Sequence, residues 1–96
     1  MVIGAARIVI DLPEQLSLKE KRSPLRSIIS RVRSTFNAAI AEVGEQDAWQ
    51  TAVLGLTVVS NEAGHAARQI ERIVEAIEQT RLDAEVVDRQ VEIISF

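Results

Sequence analysis

Thr51–Ser60 reads TAVLGLTVVS: mostly β-branched and aliphatic residues, one glycine and no charge. A run of this length and composition between polar boundaries predicts a strand in the middle of a sheet. At a period of two, Ala52, Leu54, Leu56 and Val58 share one face, and Val53, Gly55, Thr57 and Val59 share the other. Both faces are apolar. Such a strand needs a neighbour at each edge and cover on at least one side.

The flanking chain supplies both. Val2–Asp11 alternates as a strand, with Gly4, Ala6, Ile8 and Ile10 set toward the core, and Pro13 bars further ladder pairing after it. Ser17-Leu-Lys-Glu20 has the capping-box pattern and predicts a helix to about Phe36. Its apolar stripe is Leu18, Leu25, Ile28, Ile29, Val32 and Phe36. Pro24 conflicts with that helix. It removes the hydrogen bond to Glu20, so either a kink or a fresh start with Ser23 as cap is expected. Ala38–Val43 predicts a short second strand, and a polar turn from Gly44 leads through Trp49 and Gln50 into Thr51–Ser60. Ser60 and Asn61 cap a second helix that ends near Thr80, with Ala63, Ala66, Ala67, Ile70, Ile73, Val74 and Ile77 as its stripe. Glu85–Phe96 is the last strand. Arg89 interrupts its Val87, Val91, Ile93 face, which predicts a bulge or an exposed edge. The order βαββαβ over residues 1–96 specifies a single ferredoxin-like α+β sandwich: a four-stranded antiparallel sheet, two helices on one face, strands one and three central.

Composition narrows the chemistry. The chain has 96 residues, 47% apolar and 26% charged, enough for one core without staples. It has no cysteine, which excludes disulfides, thiol catalysis and zinc ribbons. The apolar N-terminus is interrupted by Arg7 and ended by Asp11-Leu-Pro, so it reads as a strand and not a signal peptide. No stretch has the length of a membrane span. A cytoplasmic protein is expected. No GxGxxG, phosphate-loop or G-x-S-x-G pattern occurs, so no cofactor and no enzymatic activity is expected.

The net charge of −3 is unevenly spread. Between Ser17 and Phe36, Lys19, Lys21, Arg22, Arg26, Arg31 and Arg33 face Glu20 alone, a local charge of +5 that leaves −8 for the rest. At 100° per residue Lys19, Arg22, Arg26 and Arg33 lie within about 60° of one another. Four cations on one flank suit successive phosphates of structured RNA, with Lys21 and Arg31 adding to the field. The competing reading is a solvated face paired with the acidic second helix or Glu14. Trp49, beside Asp47 and Gln50, suits base stacking or a dimer anchor, or else closes one end of the core. The uncovered sheet face collects Ala5, Val9, Ala39, Ala41, Val43, Val53, Gly55, Thr57 and Val59. With no aromatic there, base stacking on the sheet is rejected, and a homodimer or ligand contact through this face is the expectation. His65 with Glu62, and Glu42 with Glu45 and Asp47, lack the further ligands that a metal or an acid–base site needs.

Ser17-Leu-Lys-Glu-Lys-Arg, Arg33-Ser-Thr-Phe-Asn, Ala41-Glu-Val, Gln46-Asp-Ala-Trp-Gln, Leu54-Gly and Val59-Ser-Asn together resemble the YlxP family of small bacterial proteins. The resemblance spans nearly the whole chain and implies a ferredoxin-like fold. The family's genes often sit among those for translation initiation and ribosome maturation. This implies a link to ribosomal RNA or the small ribosomal subunit. Pro24 departs from the family, which usually has an ordinary helix former there.

Overall fold

The computed structural model describes residues 1–80 and 83–96. Six elements follow in chain order: β1 (Val2–Asp11), α1 (Leu18–Thr35), β2 (Ala39–Gly44), β3 (Thr51–Ser60), α2 (Ala63–Thr80) and β4 (Glu85–Ser95). The sheet order is β2-β3-β1-β4, and every pairing is antiparallel. This is the ferredoxin-like α+β sandwich. The second strand sits one residue later than expected from its sequence.

β1 and β3 form the centre because they carry the chain's longest apolar alternation. Ile8, Ile10, Leu54 and Leu56 face the helices and are fully buried. α1 adds Leu25, Ile28 and Val32 to the core, and α2 adds Ala66, Ile70, Ile73, Val74 and Ile77. Each large aliphatic side chain so buried contributes roughly 1.5–3 kcal/mol. At Gly4 the missing side chain lets α2 pack closely on β1. A Cβ there would lie 2.8 Å from Ile70 Cδ1 and 3.0 Å from Val58 Cγ2.

α1 neither breaks nor restarts at Pro24. Ser17 is the N-cap, its Oγ accepting from Glu20 N at 3.1 Å, while the Glu20 carboxylate accepts from Leu16 N at 2.6 Å. Two otherwise unpaired donors are satisfied before the proline is reached. Pro24 itself is buried, so its ring packs into the core although it supplies no amide to Glu20.

β4 has the expected irregularity. Its register against β1 shifts between Val9 and Ile10, which skips Val87 and brings Val86 back to the core side. Arg89 then faces the helices, where Nη1 lies 3.2 Å from Glu71 Oε2 on α2.

Candidate functional site

The exposed side of α1 carries a shallow concavity lined by Lys19, Arg22, Ser23, Arg26, Ser27 and Ser30. It follows from helical phase. The apolar residues of α1 occupy one arc, and these six fall on the opposite one. An unbroken helix through Pro24 keeps Lys19 in phase with Arg22 and Arg26, so the structure brings these three together. Among the described residues, Lys19, Arg22, Arg26 and Arg31 form no salt bridge; the ion pairs lie elsewhere, at Lys21–Glu42, Arg68–Glu62 and Arg89–Glu71. Neither α2 nor Glu14 places a carboxylate in ion-pair contact with this face among the described residues. The serine hydroxyls between the cations add short donors that can also contact phosphate oxygens.

Two of the expected cations behave differently. Lys21 is only 3% exposed and does not belong to the basic face. Its Nζ donates to Glu45 O at 2.8 Å and Ala48 O at 2.7 Å, and it lies 2.9 Å from Glu42 Oε2. The Glu42 contact is a charge contact without the direction of a hydrogen bond. The physical reason is phase. Lys21 lies on the same helical arc as Leu25, Ile28 and Val32, so its stem runs into the core and its ammonium emerges under the β2–β3 turn. That phase was present in the sequence and is the signal by which Lys21 could have been separated from the others. Arg33 remains exposed, but its Nη2 donates to Ile40 O at 3.0 Å and ties the end of α1 to β2.

The turn gripped by Lys21 presents Asp47 and Trp49, which line a small surface depression with Ala48, Gln50 and Thr51. Trp49 is 52% exposed and does not close the core. Its backbone neighbours are fixed on both sides. Lys21 holds the Ala48 carbonyl, and Gln50 Nε2 donates to Pro13 O and Gln15 O while Gln50 O accepts from Leu12 N. Glu45, at φ 54°, takes the left-handed conformation that starts this turn. Glu42 is turned to Lys21, so the run Glu42, Glu45, Asp47 does not converge. Among the described residues no group of three or more His, Asp or Glu side chains is placed to hold a metal ion. His65 Nδ1 lies 3.1 Å from Ser60 Oγ, which also accepts from Glu62 N at the start of α2.

The uncovered sheet face forms a concavity of about 960 Å³, floored by small residues including Ala5, Ala39, Ala41 and Gly55. Arg7 and Gln90 rise from it, joined by a 3.3 Å hydrogen bond. A Cβ at Gly55 would lie 2.8 Å from Val43 Cγ1, so the valine lies over the glycine. No helix of the described chain is long and apolar enough to cross a membrane.

Residues 3–91 match the family described as "Protein of unknown function (DUF503)". The chain belongs to that family. It is 35% identical over 77 residues to the "Uncharacterized protein YlxP" of Bacillus subtilis (strain 168), covering 80% of this chain and 84% of that protein. Among solved structures, "De novo designed protein Foldit4" superposes with a TM-score of 0.54 at 12% identity, covering 100% of this chain and 99% of the design. That likeness concerns the fold alone. DUF503 membership agrees with the YlxP-like motifs and assigns no activity.

Proposed function

We propose that this DUF503 protein is a non-enzymatic accessory factor that holds the phosphate backbone of structured RNA against α1. The supporting observation is the face of Lys19, Arg22 and Arg26, without ion pairs among the described residues and with Ser23, Ser27 and Ser30 interleaved. Lys19 and Arg26 are separated by about 10 Å along the helix axis, a span that reaches neighbouring phosphates of a folded strand. Such contacts orient a protein on RNA without reading its sequence. The ribosomal small subunit, or its RNA, is the partner suggested by the gene neighbourhood of YlxP-like proteins. Arg33 and Arg31 extend the field toward the C-terminal end of α1, and Trp49 with Asp47 lie in the turn that Lys21 meets near the start of that helix.

The test is binding to purified small subunits and to a mixed ribosomal RNA control across a salt series. Three phosphate contacts predict a slope of log affinity against log salt of about −2 to −3. Arg22→Ala with Arg26→Ala removes about 2 from that slope. Affinity and slope that survive the double substitution would place the contact elsewhere.

A second reading rests on the small-residue concavity of the open sheet face, which fits a flat apolar ligand or a second copy of the chain. A small-molecule thermal shift that persists in the Arg22, Arg26 variant and vanishes in Ala41→Lys would mark it.

A further inference from the structure

The sheet has two edges, and the protein treats them differently. β2 is short, bulged between Glu42 and Gly44, and bridged by α1, which sets Arg33 on the Ile40 carbonyl and Lys21 against the Glu42 carboxylate. Short length, a bulge and charge are the usual protections of an open edge. β4 carries a bulge at Val87 and charges at Glu85, Asp88, Arg89 and Glu92, but it is long and its stretch beyond Glu92 has neither protection. It has eleven residues, a neighbour on one side only, and no further bulge beyond Val87. Val91, Ile93, Ile94 and Phe96 are exposed along it, and they lie on both faces of the sheet. Arg89, whose charge would otherwise guard the edge, is drawn back onto Glu71 of α2.

We propose that β4 is the seam of a homodimer in which two copies pair antiparallel, edge to edge, into a continuous eight-stranded sheet. The row of backbone donors and acceptors along a free edge calls for a strand as occupant. The sequence of β4 favours its own copy. A two-fold axis through Val91 sets Val91 against itself, Gln90 against Glu92, Arg89 against Ile93 and Asp88 against Ile94. No like charges oppose one another in that register. Moving the axis to Arg89 or Glu92 sets a charge against itself, and moving it to Gln90 sets Asp88 against Glu92. The self-complementary contact is isologous, so it closes at two copies. α2 lies nearest the seam and α1 toward the β2 side, so the two basic faces sit at the outer flanks of the dimer.

Light scattering across a concentration series is expected to give twice the 10.6 kDa chain mass at the upper end. Val91→Lys and Val91→Glu each put like charges on the axis and each weaken the dimer by about tenfold or more. An equimolar mixture of the two restores it as a heterodimer. Ala41→Lys, on the open face, leaves it intact. Hydrogen exchange on the unsubstituted chain needs no variant: protection of β4 amides rises with protein concentration. A monomer mass throughout, exchange at β4 independent of concentration, or a mixture that fails to dimerise overturns the proposal. So does a dimer lost in Ala41→Lys and kept in Val91→Lys, which would move the contact to the open face.

Discussion

Lys21 is the residue whose loss reaches furthest. Its ammonium is held by two loop carbonyls and one carboxylate, all from the β2 end and the turn after it. Lys21→Met keeps the buried stem but leaves those acceptors without their donor. A loss of about 2–4 kcal/mol is expected in urea unfolding, together with faster exchange of the turn amides. Gly4 and Gly55 make a matched pair. At Gly4 an added methyl meets Ile70, Val58 and Ala66 in the closed core, and Gly4→Ala should cost about 1–3 kcal/mol. At Gly55 the obstacle is Val43, 55% exposed but β-branched, whose Cγ1, Cγ2 and Cβ would lie 2.8, 3.3 and 3.6 Å from the added Cβ, so a turn about χ1 does not clear both methyls. Gly55→Ala should cost about 1 kcal/mol in the same measurement, at the low end of the Gly4→Ala range because the strain is met at the surface.

Among the elements, α1 combines a structural and a recognition face. Its start depends on Ser17 Oγ, and Ser17→Ala should lower stability by about 1 kcal/mol while leaving RNA affinity unchanged. The elements were legible in the sequence because their periodicities are clean: β1 and β3 alternate over ten residues, and α2 keeps one aliphatic stripe. Pro24 was the ambiguous signal. Local chemistry offered a break, whereas burial of the ring and a completed cap upstream carry the helix through it. The candidate site was legible in part. Charge counting found the cations of α1 but assigned Lys21 by its sign, when its angular position beside Leu25 and Ile28 decides its direction. The hold of Gln50 on Pro13 and Gln15 left no trace in the pattern, because it joins residues more than thirty positions apart.

At the scale of the whole molecule, positive charge sits on one helix and the surplus of negative charge lies elsewhere. Stability and recognition should therefore separate. The Arg22→Ala, Arg26→Ala variant is expected to unfold within about 0.5 kcal/mol of the parent, since neither side chain has an ion-pair partner among the described residues, while its affinity for small subunits falls and loses salt dependence. Equal loss of stability and binding would tie those arginines to the fold instead. The strand order has a consequence in time. β1 is central, yet both of its neighbours, β3 and β4, are encoded after it. On a translating ribosome at about 5–20 residues per second, the first neighbour is not made until roughly 2–8 s later. For that interval Val2–Asp11, an apolar and strand-forming segment, has no native strand to pair with, and the chaperones that greet emerging polypeptides have their opportunity there.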